Sequence, residues 1–116
     1  MAKSMDLIRK SVGADAIKAA GNAIRLAVAV TDTDLVTGSL GILGLWGNTV
    51  ERFPLANLSG VRTVCNPGMN MLQVESTGER PRSLSITYAP EAEAAFAVII
   101  ALLEARLAER QGACTR

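Results

Sequence analysis

Two carboxylates two residues apart, Asp32 and Asp34 in Thr31-Asp32-Thr33-Asp34, have a type and spacing that could do chemistry. The spacing suits an acid–base pair or the start of a calcium loop, but the further acidic ligands and closing glutamate of a calcium loop do not follow. Turn chemistry fits better, because an aspartate side chain can bond backbone amides two residues on. The chain has no histidine, so the commonest general base and the commonest nitrogen ligand of zinc are both missing. Cys65 and Cys114, far apart in sequence, make no zinc knuckle. Gly38, Gly41, Gly44 and Gly47 recur at every third residue, but they lack the Lys-Ser/Thr ending of a phosphate loop and miss the dinucleotide fingerprint. No catalytic residue, metal or cofactor is expected from this inventory.

The remaining candidates are apolar. Leu43, Leu45 and Trp46 lie between those glycines and are too apolar for a solvated tip, so this connection should rest on a neighbouring strand, another subunit or a membrane surface. A second strip, Ala94, Val98, Ala101 and Ala105 with the flanking Leu102, falls on one side of a C-terminal helix where a surface helix would be polar. Arg52, Arg62, Arg80 and Arg82 are expected as solvated charge paired with Glu51, Glu75 and Glu79. All three lysines, Lys3, Lys10 and Lys18, fall in the first eighteen residues and solubilise a helix face.

The elements that position these residues follow from periodicity. Met5, Ile8 and Val12 recur at helical spacing between Ser4 and Ala20, with Gly13 weakening the helix and Gly21-Asn22 ending it. From Ile24 to Thr31 the chain alternates, Ile24, Leu26, Val28 and Val30 on one face and Arg25, Ala27 and Ala29 on the other, a half-buried strand. Leu35–Thr37 and Asn48–Pro54 extend it into a meander. Leu55, Leu58 and Val61 suggest one helical turn leading into a strand over Val61–Asn66. Asn66-Pro67-Gly68 then makes a type II turn, and strands follow over Met69–Ser76 and Ser83–Tyr88. Pro90 opens a helix that runs to about Gln111, where Gly112 stops it, with Ala92, Phe96, Ile99, Ile100, Leu103 and Leu107 on its core face.

A chain of 116 residues is one domain's worth. At 49% apolar with four aromatics its core must be aliphatic, and a net charge of +1 gives no field to hold a nucleic acid. The first residues show no basic-then-apolar segment with a cleavage site, and the cysteines suggest no disulfide, so a reducing cytoplasm is expected. Leu35–Val50 is free of charge but falls short of the roughly 20 apolar residues of a spanning helix.

The order of elements resembles the bacterial pleckstrin-homology-like (PH-like) domains over Ile24 to Leu107. The likeness rests on Val30-Thr31-Asp32-Thr33-Asp34-Leu35-Val36, on Gly44-Leu45-Trp46-Gly47, on Val50-Glu51-Arg52-Phe53-Pro54-Leu55, and on Leu58 and Val61. It implies an α+β, mainly β fold: a bent antiparallel barrel of about seven strands, its open end plugged by the C-terminal helix through Phe96, Ile100 and Leu103. The family's basic residue before the Leu-Val of the second strand is here Asp34, so inositide binding is not expected at this acidic hairpin. The expected division is an N-terminal helical arm over 1–22, the PH-like domain over 23–111 and a tail over 112–116.

The expectation for function is a non-catalytic binding or assembly module, homo-oligomeric or engaging a protein partner. Its surface would be Leu43, Leu45, Trp46, Val98, Ala101, Leu102 and Ala105, with the N-terminal helix available to cover the C-terminal strip in the same or a neighbouring chain. The alternative is a peripheral membrane module using the Trp46 loop and the Lys-bearing helix.

Overall fold

The computed structural model describes residues 2–39, 49–77 and 81–114. The chain is α+β and mainly β: helix α1 (Ala2–Val12), strands β1 (Ala19–Ala23), β2 (Leu26–Val30), β3 (Asp34–Ser39), β4 (Thr49–Pro54), β5 (Leu58–Asn66), β6 (Met69–Ser76) and β7 (Arg82–Tyr88), then helix α2 (Glu93–Cys114). The strands form two antiparallel meanders, β1-β2-β3-β4 and β5-β6-β7.

The sheets do not close into the expected barrel. A single 3-10 turn over Leu55–Asn57 carries the chain from one sheet to the other, and no ladder joins β4 to β5. At the opposite corner the Ile24 N–H, in the turn after β1, donates to the Thr87 carbonyl of β7 at 2.9 Å. The two sheets instead clasp α2. Phe96, Ile99 and Leu103 are fully buried among Val28, Val30, Leu35 and Phe53 of one sheet and Leu58, Leu72, Val74, Ile86 and Tyr88 of the other or its lead-in. Phe96 stacks on Tyr88 with ring centroids 4.1 Å apart and 2° between planes, a pairing worth about 0.5–1.5 kcal/mol beyond area.

The first sheet is covered on both faces, which corrects the half-buried reading of its strand. Val28 and Val30 face α2, while Ala27 and Ala29 lie fully or almost fully buried with Val36 beneath Met5 and Ile8 of α1. The two alanines are small, so the helix comes close. The N-terminal helix therefore packs in cis on the sheet, not on the strip of α2 for which it was an available partner. Gly13, at φ 84°, ends α1, because a left-handed backbone cannot continue it, and a single 3-10 turn over Ala14–Ala16 follows.

The segment read as the end of that helix contains a strand. Ala19-Ala20-Gly21-Asn22-Ala23 has no β-branched residue, yet its register with β2 runs from Ala19↔Val30 to Ala23↔Leu26. Tertiary context overrides propensity here. A Cβ on Gly21 would lie 3.2 Å from the Ala95 Cβ and 3.2 Å from the Phe96 ring, so glycine sets how closely β1 can approach α2. Ile24 is consequently in the turn and exposed rather than on a strand face.

Elsewhere the differences are of a few residues at element ends. β5 starts at Leu58, three residues before the expected Val61, across an irregularity between Leu58 and Gly60. Gly68 takes the positive φ of 76° that the Asn66-Pro67-Gly68 turn requires. α2 does not stop at Gly112 but continues to Cys114, since one glycine costs a helix only about 1 kcal/mol and does not break its ladder.

Candidate functional site

α2 is the element whose two sides differ most from an ordinary surface helix. Twenty-two residues at 1.5 Å each make it about 33 Å long. Its inner side is the core just described. Its outer side carries Ala94, Ala97, Val98, Ala101, Ala105 and Ala108, all exposed, with Val98 at 53%. Ala94, Ala101 and Ala108 are seven apart, as are Val98 and Ala105, so they form two adjacent columns along one seam. Glu104 and Glu109 flank it in solvent.

Of the residues assigned to an interaction surface by sequence, Val98, Ala101 and Ala105 are on this seam, whereas Leu102 is half-buried and packs back on the main core. Ala97 and Ala108 were missed, although their spacing was the available signal. Leu43, Leu45 and Trp46 lie outside the described residues, as does Arg80. The plug residues behave differently from one another: Phe96 and Leu103 are fully buried, and Ile100 is half-buried against the same core.

The acidic hairpin is a turn held by a different side chain from the one the sequence suggested. The Thr31 hydroxyl accepts the N–H groups of Thr33 at 3.3 Å and Asp34 at 3.0 Å. Asp32 is exposed and reaches only Lys18, at 3.9 Å with its own side chain 80% accessible, a pair of little energetic weight. Asp34 is half-buried at the start of β3, accepting the Thr33 hydroxyl at 2.9 Å and facing Arg52 at 3.9 Å. Arg52 in turn donates to the Ser11 carbonyl at 3.0 Å, satisfying one of the unpaired carbonyls at the end of α1. These charges tie α1, the hairpin and β4 together.

Arg62 and Arg82 are also structural. Arg62 donates two bonds to the Gln73 side-chain carbonyl, at 2.7 and 3.0 Å, and not to the expected Glu75. Arg82 pairs with Glu51 at 3.7 Å, as expected, and lies over the Phe53 ring at 5.6 Å. Burial holds the Tyr88 hydroxyl above its ordinary pKa, with smaller contributions from Cys65 and Glu93. Cys65 is exposed.

Among the described residues no group of three His, Cys, Asp or Glu could hold a metal ion, and no helix is long and apolar enough to cross a membrane. No family model matches the chain, and neither a curated protein nor a solved structure does.

Proposed function

We propose that the chain is a non-catalytic, PH-like assembly module in the cytoplasm that acts through protein–protein contacts, with the outer seam of α2 as its working surface and a second copy as its occupant. The observation that carries this reading is the exposed, apolar, seven-residue-periodic seam from Ala94 to Ala108. Burial against another helix is the usual fate of such a face. Small side chains let two backbones approach closely, and the two columns provide the repeating contacts that a helix pair needs. Two sheets of four and three strands with a helix between them support the PH-like resemblance.

The membrane alternative draws less support. Its inserting Trp46 loop lies outside the described residues, and α1, with Met5 and Ile8 buried on the first sheet, presents Asp6 beside Arg9 and Lys10. Light scattering across a dilution series tests the assembly reading. The proposal expects a mass above the 12.2 kDa monomer that falls on dilution; a constant monomer at high concentration would remove it.

A further inference from the structure

The open edge of the first sheet has features that the α2 seam does not use. β1 pairs with β2 on one side only. Its hairpin closes on the Ala23↔Leu26 pair, so the alternation of an antiparallel ladder turns the backbone N–H and C=O groups of Ala20 and Asn22 away from β2. Ile24, the next such N–H and already in the turn, donates to the Thr87 carbonyl, so β7 closes that end of the edge and leaves Ala20 and Asn22 free of it.

A cleft of about 1020 Å³ lies beside the edge, walled by Met5 and Arg9 of α1, by Asn22 and Arg25 of β1 and its turn, by Glu91 in the 3-10 turn that leads into α2, and by Ala95 in the first turn of α2. Arg25 has φ 69° and is the one non-glycine residue with positive φ among the described residues. Glycine would hold that turn without strain, whereas here the position carries a guanidinium that lines the cleft. The other guanidinium, Arg9, has Asp6 as partner at 3.3 Å, both side chains 56% exposed, too hydrated a pair to keep it from a ligand.

We infer that this edge binds an extended, acidic peptide segment of a partner protein, added to β1 as a fifth strand. Main-chain bonds to Ala20 and Asn22 supply the attachment, and charge supplies the register. Alternate side chains of an added strand face opposite walls. Carboxylates at every second position then all meet the wall where Arg9 lies, while Glu91 on the α2 side disfavours the opposite register. The site needs no self-association, so it and the α2 seam can fail separately.

Two capped octapeptides, one alternating valine with glutamate and one valine with lysine, titrated into the full chain test the inference by amide hydrogen exchange. The glutamate peptide should slow exchange at Ala20 and Asn22 and bind roughly tenfold more tightly than the lysine peptide. Arg25→Gly, which relaxes the turn, should weaken the glutamate peptide roughly tenfold without lowering the melting temperature. Should that variant misfold, glutamate peptides N-methylated on either set of alternate amides serve instead, and one of the two should lose binding. Equal affinity for both peptides, no binding of either, unchanged exchange at Ala20 and Asn22, undiminished binding by both N-methylated forms, or capture by anionic vesicles in place of the peptide would each overturn it.

Discussion

α1 and α2 cover opposite faces of the same four-stranded sheet, and they leave different remainders. α1 buries Met5 and Ile8, half-buries Val12, and turns Asp6, Arg9, Lys10 and Ser11 to solvent. α2 buries Phe96, Ile99 and Leu103 but turns alanines and Val98 to solvent. A helix with a polar outer side is fully accounted for by its own chain, whereas one whose outer side carries an apolar seam between its charges has a face still to be covered. The comparison teaches that amphipathicity, more than hydrophobicity, separates an element finished within the monomer from one that is not.

The contrast can be broken first at the core. Phe96 meets both sheets and stacks on Tyr88, so Phe96→Ala should cost about 3–5 kcal/mol in a denaturant melt, a large part of a small domain's stability. An unshifted midpoint would show that α2 is not the centre of the fold. Ile8→Ala should cost about 2–5 kcal/mol by the same measurement, because Ile8 is fully buried between α1 and the sheet. A melt matching the parent would make α1 a dispensable arm and return its apolar face to the list of free surfaces.

A smaller effect sharpens the account of the hairpin next to α1. Thr31→Ala removes the acceptor of two backbone N–H groups and should cost about 0.5–2 kcal/mol, as a lost cap does. Asp32→Ala, which loses only an exposed pair, should fall within about 0.5 kcal/mol of the parent. If the two substitutions exchanged these values, the aspartate would be the turn's organiser after all.

Much of this is legible in the sequence. The strands from Val61 to Tyr88, the Gly68 turn and the core stripe of α2 follow from period and turn chemistry. β1 was not legible, because Ala19-Ala20-Gly21-Asn22-Ala23 has the composition of a helix end and becomes a strand only by pairing with β2 beneath α2. Ala27 and Ala29 were read as a solvent face, although their smallness is what lets α1 settle on them. Barrel closure is a matter of strand pairing at two corners, which neither residue type nor spacing encodes. For the candidate site, the seven-residue spacing of the α2 seam was visible, but Leu102 sits close enough to the boundary of the two faces that periodicity placed it outward and packing turned it in.

The central claim is that the seam on α2 is an interface, and Val98→Glu beside the parent in sedimentation velocity tests it most directly. Val98 is 53% exposed, so the substitution should leave the monomer's own fold intact while placing a charge in the proposed contact, and any lowering of the melt should reflect only the lost association. The account predicts that the parent sediments as an oligomer and Val98→Glu as a folded monomer. A variant that sediments like an oligomeric parent, or a parent that is monomeric at every concentration, would contradict it.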